Sequence, residues 1–329
     1  MEKKESGINK LLNNPVLAKI YKSSSFGVIA ILLFMCIALT ISTSNFLTAD
    51  NLFSVIRAFS FTAIMAIGEC LVIITAGIDL SVSSIFAFSG VISVMAMTKW
   101  GVPVVFGILI GLAAGVAFGL FNGIFITKFK LPPFIVTLGT LSIARGLSYG
   151  ITGGFPLPNL PEAFKFIGQG YIWIVPFPMI LLILLGIIFT IFLRTTILGR
   201  RIYAIGGNEE AARISGINTH RIKIIVYVLS GILASIAGMA TAARLGVAQS
   251  TAGIGLELDT IAAVIIGGAS VSGGVGTVLG TIIGAAIMGV LRNGLILLNV
   301  SAYWQQTVVG AVIILAVTLD QLRYRKSKS

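Results

Sequence analysis

Charge is what this chain has least of. Only 10% of its 329 residues are Asp, Glu, Lys or Arg, against about 25% in a soluble domain. With 57% hydrophobic residues and a mean hydropathy of +1.03, it cannot present a solvated surface all round, and a polytopic membrane protein is the class that remains. Histidine is nearly absent. His220 stands alone at a loop-to-span junction, where it reads as a surface residue, so neither a Ser/His/Asp relay nor a histidine-based zinc site can be assembled. The two cysteines, Cys36 and Cys70, both fall inside apolar runs. They read as small core residues, with no disulfide or metal site. The pattern Gly-x-x-x-x-Gly-Lys-Ser/Thr does not occur, and the glycine-rich Gly267 to Gly274 has no lysine after it. The chain therefore does not hold ATP in a P-loop. Acidic residues are scarce too, leaving a net charge of +12. Nucleic acid is not the implied partner, because the basic residues sit at the ends of apolar runs, where they act as topology signals.

A helix needs about 20 apolar residues to cross a bilayer. That ruler gives ten spans, at 26–43, 52–75, 80–98, 103–127, 133–151, 173–193, 221–243, 258–271, 276–298 and 303–320. The eighth is short and reads as tilted or buried in protein. The first is a permanent span, since it ends in Thr43-Ser44-Asn45 without a small-x-small cleavage site. The expected organisation is a cytoplasmic segment (1–25), one transmembrane domain (26–320) and a basic tail (321–329). Lys and Arg concentrate in 1–25, at Lys128 and Lys130, across 194–223 and in the tail, whereas the alternate segments hold only Lys99, Lys165 and Arg244. Positive charge marks the cytoplasmic side, so both termini and the stretch 199–220 are expected inside.

Thr75-Ala76-Gly77-Ile78-Asp79-Leu80 before the third span is echoed by Thr251-Ala252-Gly253-Ile254-Gly255-Leu256 before the eighth. Glycines recur at every fourth position in the fourth span (Gly107, Gly111, Gly115, Gly119, Gly123) and again in the ninth (Gly276, Gly280, Gly284). Both echoes are five spans apart, so the expectation is an inverted 5+5 repeat of the kind found in transporters; chance similarity in a Gly/Ala/Ile-rich chain is the alternative. The glycine stripes are read as packing surfaces.

Residues 199–220 form the most polar interior stretch. Gly206 and Gly207 break the chain, Asn208 caps a helix that opens with Glu209 and Glu210, and Gly216 ends it after about two turns. Such a helix must be presented to water. Elsewhere, Glu69 lies inside the second span and has to pair, face the bundle interior or carry a proton; no partner for it is evident, and a proton relay is the functional reading. Arg145 and Arg292 read as anchors, and Asn122 and Asn293 either bond across helices or line a path. Asp79, at the cytoplasmic mouth of the second span, either caps the third helix or belongs to a gate. Gln249, Glu257 and Asp259, with Arg244, make an external polar patch that reads as a docking surface or a solvated loop. The external loop 152–172, broken by Gly153, Gly154, Pro156, Pro158 and Pro161, is a second docking candidate.

Glu210-Ala211-Ala212-x-x-x-Gly216 resembles the cytoplasmic EAA loop of ABC importer permeases. Taken with TAGIDLSVSS (75–84), GRRIYAIGGNEEAARISGI (199–217) and AAVIIGGASVSGGVGTVLG (262–280), it makes the chain resemble the ribose/xylose/galactose permease family of bacterial ABC importers over about residues 26–320, the ribose permeases in particular. The resemblance implies a multi-pass subunit of the bacterial inner membrane that is not itself an enzyme and binds no cofactor. It implies a second, identical permease chain, cytoplasmic ATPase subunits carrying the ATP and Mg, a periplasmic sugar-binding protein and surrounding lipid. Gly207, Asn208, Glu209, Glu210, Ala211, Ala212, Arg213, Ser215 and Gly216 would form the coupling helix on the ATPase. Two departures stand out: the Ile-x-Leu-Pro that closes many EAA loops is absent after Gly216, and Glu69 stands where an uncharged residue is expected. The rival function is an ion-coupled secondary sugar carrier that uses Glu69 and needs no ATPase.

Overall fold

Charge-free runs of Leu, Ile, Val, Phe and Ala become helix in a membrane because only a helix pairs every backbone N–H and C=O within one segment. The computed structural model describes residues 24–328, with side chains over 27–318. Nearly all of the N-terminal segment read from the sequence thus lies outside the described residues. In chain order the elements are α1 (Ser24–Ser42), α2 (Ala49–Ile74), α3 (Val82–Thr98), α4 (Val104–Thr127), α5 (Pro133–Thr152), α6 (Glu162–Gln169), the strands β1 (Tyr171–Ile172) and β2 (Val175–Pro176), then α7 (Phe177–Thr195), α8 (Ile197–Gly207), α9 (Glu209–Ile214), α10 (Thr219–Leu245), α11 (Leu256–Ile266), α12 (Val278–Leu297) and α13 (Ala302–Lys328). Each apolar run coincides with a helix. Six of these helices (α2, α4, α5, α7, α10 and α12) are long and apolar enough to cross a membrane. The protein is an all-α membrane protein. The basic tail continues α13 as helix to Lys328.

Helix α10 is the hub, packed on α4, α3, α2 and α6. In its most apolar window α2 is 72% buried, whereas α4 and α7 are each 22% buried. So α2 is central, and α4 and α7 turn most of their apolar surface, including Phe106 and Leu109, outward. At the centre of their stripe the α4 glycines lie directly against α10: a Cβ on Gly115 would strike the Ser235 hydroxyl and the Gly231 carbonyl, and one on Gly119 the Tyr227 carbonyl. This close approach is how membrane helices gain packing energy where lipid offers no hydrophobic drive. The α12 stripe faces a different neighbour. Gly280 and Gly284 lie against the carbonyls of Gly267 and Ala263, at the end of α11.

Three departures from the sequence reading have local causes. Helix α11 ends at Ile266, five residues early, because the Gly267-Gly268 pair allows a sharp turn with Gly268 at φ +92. At 1.5 Å per residue it spans only about 16 Å, about half a hydrocarbon core. The segment 152–172 is not a plain loop. It carries α6, whose Gly168 sits so close to the Ala240 carbonyl and the Arg244 amide that no side chain fits there, and Leu157 bridges to Ala248. Finally, Gly206 and Gly207 do not break the chain: they complete α8, which Thr196 starts by accepting a bond from the Gly199 amide at 3.0 Å.

Arg145 and Arg292 are ties. Arg145 on α5 donates to the carbonyls of Ser250 (2.5 Å) and Ala252 (2.8 Å), holding the turn before α11. Arg292 on α12 pairs with Asp259 on α11 at 2.6 Å.

Candidate functional site

The polar stretch folds as two short helices with a corner between them. Asn208 leaves helical geometry (φ −161) and its Oδ1 accepts from the Ala211 amide at 2.9 Å, which starts α9. Gly216 ends it in the left-handed region at φ +84, after the Ser215 C-cap. Gly207, Asn208, Glu209, Glu210, Ala211, Arg213, Ser215 and Gly216 are all exposed, and only Ala212 is buried. Arg213 binds Glu210 through two nitrogens, at 2.5 and 3.0 Å. That bond holds the Glu210 carboxyl below the usual glutamate range. The sign follows: the pair persists above the ordinary glutamate pKa and is lost as pH falls through the depressed one. Lys223, at the start of α10, pins Glu209 at 2.5 Å. Ile214 is 76% exposed, an apolar side chain held at the end of a polar helix.

α8 carries this corner into the bundle. Ile202 and Ile205 are buried, and Tyr203 donates to the Gly276 carbonyl at 2.7 Å. Gly206 touches the Ile74 carbonyl, the last of α2, so closely that a Cβ would overlap it. That same carbonyl accepts from the Gly274 amide at 2.9 Å. The base of the exposed helix therefore rests on the end of α2 and on the 267–276 turn together.

Directly beyond that contact lies a buried polar network. Glu69 Oε1 accepts from the Asp79 amide at 3.0 Å. One Asp79 oxygen takes the Ser81 amide (3.0 Å) and hydroxyl (2.5 Å), and the other takes the Ser230 hydroxyl of α10 (3.1 Å). Asn122 of α4 donates to Ser81 at 2.9 Å and accepts from Thr140 of α5 at 2.6 Å. Glu69, Asp79 and Asn122 are all fully buried. Glu69 thus has the partner that its sequence neighbours did not reveal. The N-cap position of α3 is taken by Ser81, not Asp79; Asp79 ties α2, α3 and α10 together through Glu69, Ser81 and Ser230. Three donors are what a buried carboxylate needs. Asp79→Ala should therefore lower stability by about 3 kcal/mol, since it leaves several buried donors unpaired. Asp79→Asn keeps the shape and removes a like charge beside Glu69, so it should cost less than about 1 kcal/mol. Thermal stability of the two variants in detergent checks the ordering.

The remaining candidates separate. Asn293 exchanges two hydrogen bonds with Asn51, at 2.7 and 3.1 Å, joining α12 to α2. Asp259 is 2% exposed and faces inward to Arg292, so it is not part of a surface patch. Gln249 and Glu257 are half-buried. The sequence did not single out α8, Tyr203 or Ile214. The Ile-Tyr-Ala-Ile run (202–205) was the available signal, because it places two apolar residues three apart on one helical face.

The chain matches the sequence profile of the branched-chain amino acid transport system / permease component family over residues 51–317. It is 44% identical to the ribose import permease protein RbsC of Bacillus subtilis (strain 168) over 292 residues, 88% of this chain and 90% of the relative. It is 44% identical over 301 residues to RbsC of Escherichia coli (strain K12), covering 89% and 92%. The xylose transport system permease protein XylH of Haemophilus influenzae is 34% identical over 359 residues, covering 91% and 96%. No solved structure matches it significantly. On a match of this extent, together with an all-helical membrane bundle, the chain belongs to the branched-chain amino acid transport system / permease component family.

Proposed function

We propose that this chain is the permease subunit of an ATP-driven importer of a monosaccharide, ribose or a similar pentose, and that α9 is the helix it seats on its ATPase. The observation that carries the coupling role is Ile214, 76% exposed on an otherwise polar helix whose base rests on α2 and the 267–276 turn. An isolated apolar side chain in water gains free energy once a partner covers it. The sugar is taken from the ribose and xylose permeases that the chain resembles over nearly their whole length.

In this reading the chain lies in a bacterial inner membrane with both termini and α9 cytoplasmic, crosses ten times and acts as a pair of identical chains. The Lys and Arg distribution supports the orientation. Matched packing supports the inverted repeat: α2 lies on α12 as α10 lies on α4, and α3 pairs with α4 as α11 pairs with α12. ATP and Mg are held by separate cytoplasmic subunits, and a periplasmic binding protein delivers the sugar between the two permease chains. Closure of the ATPase pair on ATP displaces α9. α8 passes the displacement to Ile74 and Gly274, and so to α2 and α12, which reopens the bundle to the other side.

Ile214→Asp tests the contact. Burial of an isoleucine side chain is worth about 1.5–3 kcal/mol, so the variant should bind its ATPase about 10- to 100-fold more weakly while the permease still folds. Affinity purification of the variant, with quantification of the ATPase retained, reads this directly. Full retention would remove α9 from the interface.

A further inference from the structure

Between Leu193 and Asn208 the chain carries three arginines and no acid. Arg194, Arg200 and Arg201 are all exposed. None of them makes an ion pair among the described residues. The nearest acids along the chain are already engaged: Glu209 holds Lys223, and Glu210 holds Arg213. Arg200 donates to the Thr195 carbonyl at 3.1 Å. That bond brings its guanidinium back to the last turn of α7, to which Arg194 belongs, so two like charges share the corner between α7 and α8.

The helical period decides which faces these arginines occupy. On α8, Ile197, Arg200, Arg201 and Ala204 recur at three- and four-residue spacing and are all exposed, while Ile202 and Ile205 are buried. α8 is therefore amphipathic, with an exposed isoleucine at its start and two cations one turn on. On α7, Leu184, Ile187 and Ile191 form an exposed apolar stripe at the same spacing, and Arg194 is its next member. An apolar stripe turned outward from a membrane-spanning helix faces acyl chains. Arg194 thus stands where the chains end and the headgroups begin, with α8 starting just beyond it.

We infer that this corner binds the headgroup of an anionic phospholipid: Arg194, Arg200 and Arg201 take its phosphate, and an acyl chain runs along the α7 stripe. The chemistry is complementary on both counts. Guanidinium groups grip phosphate oxygens two at a time, and one phosphate relieves the repulsion of the cations that share the corner. A lipid fits better than a soluble anion, because the cations continue an apolar wall that a lipid tail covers. Basic amphipathic helices lie at this boundary of headgroups and acyl chains. The orientation proposed above puts the site in the cytoplasmic leaflet, where anionic lipids attract juxtamembrane Lys and Arg. The bound lipid holds α8 against the membrane surface.

The test counts bound lipid. The complete transporter, purified in detergent, is titrated with phosphatidylglycerol or phosphatidylcholine and read by native mass spectrometry. Each cation near anionic lipid is worth about fivefold in affinity. Arg200→Gln combined with Arg201→Gln should therefore bind phosphatidylglycerol about 25-fold more weakly and phosphatidylcholine as before. Arg200→Lys combined with Arg201→Lys keeps both charges and should lose much less. Both side chains are exposed, and intact complex in the same spectra shows that each variant is folded. Equal phosphatidylglycerol affinity in the parent and the glutamine variant would overturn the site. Inorganic phosphate binding as tightly as phosphatidylglycerol, with the same dependence on the arginines, would overturn the lipid as occupant. A permease that binds phosphatidylglycerol alone but not with its ATPase attached would mean that the ATPase covers α8, and would overturn it too. All three leave sugar import standing.

Discussion

Reversing one charge, Glu210→Arg, is expected to cut ATP-driven sugar uptake by on the order of 100-fold and to leave the amount of folded chain in the membrane unchanged. The two halves of this expectation have separate grounds. Glu210 is exposed, and its only hydrogen-bonding partner among the described residues is Arg213, on the same helix. Nothing in the bundle depends on it, so folding should not change. At an interface, however, the substitution puts two like charges side by side on the face that docks and removes a carboxylate from the positive end of a short helix. Like-charge juxtaposition at a contact suppresses binding far more than the loss of an exposed pair lowers stability. Uptake in proteoliposomes, normalised to permease content, separates the two. Uptake at the parental rate would mean that α9 does not transmit the ATPase stroke.

The second large effect falls on stability and leaves α8 and α9 untouched. Gly231→Val should lower the yield of folded chain severely, by more than about 3 kcal/mol, and Gly107→Ala should be nearly neutral. Both are glycines at the interfaces of α4, yet what a new Cβ meets differs. At Gly231 it strikes the Gly115 carbonyl, part of a helix backbone that cannot move without shifting the α4–α10 pair. At Gly107 it meets the Met97 side chain, which is flexible and can turn aside. The gain in helix propensity from replacing glycine, about 0.5–1 kcal/mol, offsets the small cost at Gly107 but not the large one at Gly231. Melting of the purified variants in detergent checks the contrast; equal loss at both sites would contradict the packing account.

Much of the fold was legible because membrane helices are written as apolar runs, and each run from 26–43 to 303–320 coincides with a helix. Asn208 and Gly216 were legible for a similar reason: a cap and a left-handed stop are local devices. Gly206 was misread because glycine has two uses. The sequence suggests a chain break, but the residue is needed for its missing side chain, at the point where α8 meets the Ile74 carbonyl. α6 was hidden because it is only eight residues long and its large hydrophobic residues, Phe164, Phe166 and Ile167, lie among prolines and glycines. Glu69 and Asp79 are ten residues apart, and no helical or strand period brings them together; a sharp turn does, with Ala76 at φ +59. Asp259 was least legible of all: it read as surface, and only its pairing with Arg292 on α12 shows that it faces inward.

The measurement that tests the central claim most directly is sugar uptake by this chain in proteoliposomes, alone and together with the ATPase that purifies with it from its host. The account predicts that the chain alone moves no radiolabelled ribose down or against an ion gradient, and that uptake appears only with the ATPase, the binding protein and ATP. Uptake by the chain alone, driven by a proton or sodium gradient and lost in Glu69→Gln, would contradict it and make the buried Glu69–Asp79 network the engine of a secondary carrier.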